Sequence, residues 1–108
     1  MTREERIARN EAVFREVNER IKDVSEDVEA ASTTDFLCEC GDPDCTEPVR
    51  VTPVEYEEVR RNSTHFVIVP GHSHPEIEVV VARNERFAVV EKTDPQAARV
   101  AVREDPRS

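Results

Sequence analysis

Three cysteines, Cys38, Cys40 and Cys45, fall within eight positions, and the chain has no others. Between them Gly41-Asp42-Pro43-Asp44 reads as a tight turn: glycine permits positive φ, proline fixes φ, and aspartate accepts from nearby amides. Thiolates are soft ligands suited to Zn²⁺, and a bend between them lets backbone wrap an ion. The Cys-x-Cys-x4-Cys spacing is tighter than the familiar knuckle with two intervening residues, and it sets two sulfurs close together on one short segment. A tetrahedral structural site needs a fourth donor. His72 is favoured, because it follows Gly71 in a loop just past a strand. His74 comes second and His65, which begins that strand, third. Asp42, Asp44 and water remain open. Competing readings are three unligated thiols, an iron–sulfur cluster and a redox switch. The acidic neighbours Glu39, Asp42, Asp44 and Glu47 raise thiol pKa, so without a metal these cysteines would be sluggish nucleophiles.

The 108 residues fit one domain, and 37% hydrophobic content without tryptophan makes a thin core that a metal cross-link would help. The odd cysteine count and the lack of a signal-like N-terminus point to reduced ligands in the cytoplasm rather than disulfides. A net charge of −9 disfavours nucleic acid and anionic membranes as partners. No apolar run approaches the about 20 residues of a membrane span.

Residues 3–31 carry a seven-residue apolar recurrence, with Ile7, Phe14, Ile21 and Val28 in one row and Val17, Val24 and Ala31 in the other. Val13 widens the stripe. This predicts one long helix, packed in the domain or overhanging to pair. Phe36-Leu37-Cys38 and Val49-Arg50-Val51 predict a hairpin through the cysteines. Thr52, Pro53 and Glu55 signal a capping box and a helix to about Arg61. His65–Pro70 predicts a central strand and Gly71–Pro75 a loop. Ile77–Ala82 and Arg86–Lys92 predict two more strands, although Pro75-Glu76 could instead start a helix. Thr93-Asp94-Pro95 caps a last helix, Gln96–Arg103. This order gives an α+β class.

His72-x-His74-x3-Glu78 offers two imidazoles and a carboxylate, but no histidine lies downstream to complete an oxygenase-type site. Two glycines cannot build a phosphate loop. Tyr56, Glu57, Glu58, Arg60 and Arg61 read as a solvated helix face, and Phe66 and Phe87 as core.

The strings Arg-Asn-Glu-Ala-Val-Phe-Arg-Glu-Val-Asn-Glu-Arg-Ile at 9–21, Phe-Leu-Cys-Glu-Cys-Gly-Asp-Pro-Asp-Cys at 36–45, Glu-Tyr-Glu-Glu-Val-Arg at 55–60 and Phe-Val-Ile-Val-Pro-Gly-His at 66–72 resemble a family of small uncharacterised actinobacterial proteins. The similarity runs over most of the chain, and the cysteine motif with Pro70-Gly71-His72 is its most specific part. The resemblance brings no activity. It implies that Cys38, Cys40, Cys45 and His72 form one motif.

The expectation is a cytoplasmic α+β domain over 1–108, with a helix at 3–31 able to project and a core at 36–103 built on a structural Cys3His zinc site. Its expected role is interaction or regulation, through a protein partner or self-association on the helix. The rivals are a zinc enzyme, in which His72 or His74 acts on water at an open metal position, and a thiol redox sensor.

Overall fold

The computed structural model describes residues 2–25 and 32–107. Helix α1 spans Arg3–Val24. Thr2 caps it, its hydroxyl accepting from Glu5 N at 3.1 Å, and the acidic Glu4 and Glu5 face the positive end of the helix dipole. The last part of the expected helix, with Val28 and Ala31, lies outside the described residues.

Strands β1 (Thr34–Leu37) and β2 (Pro48–Val51) form the expected antiparallel hairpin, in register from Thr34↔Val51 to Leu37↔Pro48. Helix α2 (Pro53–Val59) starts at the anticipated capping box: Glu55 N donates to the Thr52 hydroxyl at 3.1 Å and Thr52 N donates to Glu55 Oε1 at 2.9 Å. β3 (His65–Ile68), β4 (Glu78–Arg83) and β5 (Ala88–Lys92) form a second antiparallel sheet in the order β3-β5-β4. The fold is α+β, with two small sheets and a cysteine-bearing hairpin. Val79, Val80 and Val81 are strand, not helix; Pro75 and Glu76 lie in a turn where Ile77 N and Glu78 N both donate to His74 O. A register shift between Val80 and Ala82 bends this edge strand. Helix α3 (Pro95–Arg103) begins at Asp94, whose carboxylate accepts from Ala97 N at 3.0 Å.

The main core joins the hairpin, α2 and the second sheet, with Phe36 stacked on Tyr56 at 4.6 Å between centroids. Phe66 and Phe87 are buried in it. A smaller cluster of Ile7, Ala8, Ile77, Ala97 and Val100 sets α1 against α3. Over its described length α1 therefore lies along the core and does not project. Its inward face takes up only one of the two heptad rows, with Ile7 buried and Ile21 partly buried against the main core, and not the valine row. Ile7, Ala8, Glu11, Ala12, Arg15 and Asn18 are buried, whereas Val13, Val17 and Val24 are 56%, 39% and 79% exposed. At 100° per residue the buried face points nearly half a turn away from the valine row.

The displacement has a polar cause. Glu11 and Glu78 both pair with Lys92 Nζ, and all three side chains are fully enclosed. Arg15 donates at 2.6 Å to the carbonyls of Ser63 and Ala101, with its guanidinium 4.6 Å from the Phe66 centroid. A buried lysine and two orphan carbonyls cost several kcal/mol unless met. Turning Glu11 and Arg15 inward meets them, and the valines rotate outward. The expected solvated face of α2 needs a matching correction. Tyr56 and Arg60 are buried, and Arg60 bonds Glu19 at 3.1 Å and Asp105 at 2.5 Å, tying α1 and the C-terminal tail to α2.

Candidate metal centre

Beyond Leu37 the chain stays extended alongside β3: Glu39 N donates to Val67 O at 2.8 Å, and Val67 N returns a bond to Glu39 Oε1 at 3.0 Å. In extended chain successive side chains point to opposite sides. Cys38 and Cys40 therefore share one side and Glu39 takes the other, which is the structural meaning of Cys-x-Cys. Glu39 is fully buried and accepts from Asn18 Nδ2 and the Tyr56 hydroxyl, each at 2.8 Å. Burial pushes its carboxyl up, and the Asn18, Val67 and Tyr56 donors pull it back only in part. Its expected place among the acidic residues around the sulfurs is thus corrected.

Gly41 then turns the chain with φ 79°. A Cβ here would lie 2.7 Å from Ile7 O and 2.9 Å from Glu11 Cγ, so only glycine fits both the backbone angle and the contact with α1. Cys45 N donates to Asp42 O at 3.1 Å, which closes the anticipated turn and brings the third sulfur back.

The fourth group arrives from the end of β3. Val69-Pro70-Gly71-His72 is a turn closed by His72 N to Val69 O at 3.0 Å, with proline at its second position and Gly71 at φ 94° in its third. These residue types at these positions define a type II turn. It delivers His72 Nδ1 to 3.6 Å from both Cys38 Sγ and Cys45 Sγ. One donor atom from each of Cys38, Cys40, Cys45 and His72 lies within 4.8 Å of every other. In a tetrahedral zinc site of this composition, nitrogen–sulfur separations are about 3.6 Å and sulfur–sulfur separations about 3.8 Å, from bond lengths of about 2.0 and 2.3 Å. The cluster can hold a metal ion.

The surroundings suit anionic sulfur. Val69 N donates to Cys38 Sγ at 3.2 Å, and the backbone amides of Asp42 and Glu47 bond Cys40 and Cys45. A hydrogen bond from Cys38 pulls the Cys40 thiol down, and the same bond, with burial, pushes Cys38 up. Burial likewise raises Cys45. Only Cys40 is thus pulled towards the thiolate, and a cation at the centre of the three sulfurs would favour that form in all of them. The outer nitrogen of His72, Nε2, lies 3.3 Å from Glu47 Oε2. A carboxylate behind the far imidazole nitrogen fixes tautomer and ring orientation for ligation through the near one.

The other candidates are elsewhere. His74 Nε2 donates to Cys40 O at 2.6 Å, so this ring braces the cysteine loop and does not join the four donors. His74 N also donates to Glu78 Oε2 at 2.9 Å, which links the loop to the buried Lys92. His65 faces Glu91 on the sheet, 3.9 Å away. Asp42 and Asp44 are exposed, and Asp42 Oδ1 accepts from Asp44 N at 2.9 Å. Sequence reasoning missed Asn10 and Asn18, which together with Tyr56 hold the ligand segment from behind. Asparagine inside a helix was a usable signal, since its side chain competes with helical backbone unless a tertiary partner engages it.

No family model, curated protein or solved structure matches this chain. Among the described residues no helix is long and apolar enough to cross a membrane.

Proposed function

We propose that the chain is a small cytoplasmic module with a structural zinc site, formed by Cys38, Cys40, Cys45 and His72, and that it serves interaction or regulation. The carrying observation is the convergence of three thiols and one imidazole nitrogen, from an extended segment and two turns, to within 4.8 Å. Borderline-soft Zn²⁺ is the common ion for such a set, and four protein donors leave no position open for water. Cys38 and Cys40 are buried, and all three cysteines are free of disulfides, which agrees with a reducing compartment. The resemblance to small actinobacterial proteins sharing the cysteine motif and Pro-Gly-His fits the same grouping.

Protein purified without added metal should carry about one zinc per chain, with X-ray absorption showing three sulfur and one nitrogen neighbour. Folded protein without metal would end the zinc reading. Three protein donors plus water would support the hydrolytic alternative instead. Disulfide formation with metal release under mild oxidant would support the redox sensor.

The contact surface proposed for a partner or a second copy is the outer row of α1, Val13, Val17 and Val24. Val13→Lys with Val17→Lys should abolish any concentration-dependent increase in particle size. A wild-type chain that stays monomeric and retains no partner removes the basis for this role.

A further inference from the structure

Helix α1 grips the ligand-bearing segment at two points. Asn18 Oδ1 accepts from Leu37 N at 2.8 Å, and Asn18 Nδ2 donates to Leu37 O at 2.9 Å and to Glu39 Oε2 at 2.8 Å. Two turns earlier, Asn10 Nδ2 donates to Gly41 O at 3.0 Å. The gripped residues, Leu37 and Gly41, bracket Cys38, Glu39 and Cys40, and neither asparagine is one of the four donors.

The contacts matter in both directions. The fully buried face of α1 offers Ile7, Ala8 and Ala12 as apolar side chains, with Ile21 partly buried against the main core; the rest is Glu11, Arg15 and Asn18. Docking of the helix therefore depends on polar contacts whose partners must be held in place. The cysteine loop from Gly41 to Glu47 is mostly exposed, with only Gly41 buried and Cys45 half-buried, so it has little hydrophobic anchoring of its own.

We propose that Asn10 and Asn18 are positioning residues of the metal centre, through which metal loading and docking of α1 are coupled. The inference rests on the metal-binding reading above. An ion that fixes Cys38 and Cys40 fixes the backbone of residues 37–41, and that backbone is what the two asparagines bind. Losing the ion loosens the segment and with it the helix that carries Val13, Val17 and Val24. The contact surface is then presented in one geometry only when metal is bound. Coupling between two equilibria is reciprocal: metal favours helix docking by the factor by which docking favours metal, so disrupting the helix contacts must weaken metal binding.

The test titrates Co²⁺ into the full chain, reading the thiolate-to-cobalt absorption band, with Zn²⁺ competition to place the zinc affinity. Asn18→Ala should bind about 10- to 100-fold more weakly, within the usual range of coupling between sites. Asn10→Ala, which removes a single bond at a partly buried position, should show a smaller loss in the same direction. Val90→Ala on β5 is the control for stability alone and should keep the wild-type affinity. In hydrogen exchange, chelation of the wild type should deprotect amides 11–18 while Phe66 and Val90, paired between β3 and β5, stay protected. Equal affinity of wild type and both asparagine variants overturns the coupling, as does a loss in Val90→Ala matching that in Asn18→Ala. A wild type that takes up no Co²⁺ overturns the metal reading itself, a result distinct from either.

Discussion

The Tyr56 hydroxyl donates to Glu39 Oε2 at 2.8 Å, which places a fully buried carboxylate from between two cysteines in the middle of the main core. Asn18 Nδ2 and Val67 N complete its shell, so one side chain receives bonds from α1, α2 and β3. Glutamine has nearly the same shape but presents two donors where one of these oxygens accepts. At least one pair would then meet donor to donor. Glu39→Gln should cost about 1–3 kcal/mol, the penalty for an unsatisfied buried group. Urea unfolding with metal bound measures it; unchanged stability would mean that the three donors find other partners.

Gly41 gives a second, independent expectation. Its φ of 79° disfavours any side chain, and a methyl group would sit 2.7 Å from the Ile7 carbonyl oxygen, a backbone atom that cannot swing away. The left-handed conformation alone costs about 1–2 kcal/mol for a non-glycine residue. Gly41→Ala should therefore lose about 3 kcal/mol or more and displace the cysteine loop from α1. Gly71→Ala is the comparison: its φ is 94° but nothing lies within 4 Å, so it should lose only the conformational part. Similar losses for both, read as shifts in the unfolding midpoint, would contradict the packing account.

Much of this arrangement was legible because it is local. A capping box, a glycine turn, a Pro-Gly turn before His72 and alternation within Cys-x-Cys are each fixed by a few adjacent residues. The helix face on α1 was not, because hydrophobic periodicity scores valine inward and glutamate outward. Glu11 and Arg15 turn inward for partners on distant elements, Lys92 and the Ser63 and Ala101 carbonyls. The pairing of Arg60, which reads as solvated, with Asp105 is hidden for the same reason. Buried ion pairs are matched only in three dimensions, and one sequence does not show which charges meet.

The two histidines of the loop separate cleanly in a test. His72→Ala removes an atom 3.6 Å from two sulfurs and should abolish stoichiometric metal binding. His74→Ala removes only a donor to Cys40 O and should keep one ion per chain at an affinity lowered by no more than about tenfold. Glu47→Gln, which alters the carboxylate behind His72 Nε2, should weaken binding by about tenfold, the low end for such a supporting partner because Glu47 is exposed. Competition with a chromophoric chelator resolves all three. Metal retained by His72→Ala and lost by His74→Ala would reverse the assignment.

The enclosed group of Glu11, Lys92 and Glu78 makes the last expectation, and it concerns pH. Two carboxylates and one ammonium leave a net negative charge with no exposure, and Glu11 Oε1 has no partner among the described residues. Burial, opposed by Lys92 and reinforced by Glu78, holds the Glu11 carboxyl well above its ordinary range. A pKa raised on folding means that the native state binds the proton more tightly than the unfolded chain. The resulting stability is present in full below the unfolded value of about 4.3 and declines as pH rises through the folded one. Glu11→Gln cannot lose that proton. Its stability relative to wild type should therefore improve steadily as pH is raised from about 4 towards neutrality and above, with the Lys92 contact kept through the amide oxygen. Urea unfolding of both proteins across that range decides it. Parallel curves would show that Glu11 is ionised throughout and that Lys92 alone balances the pair.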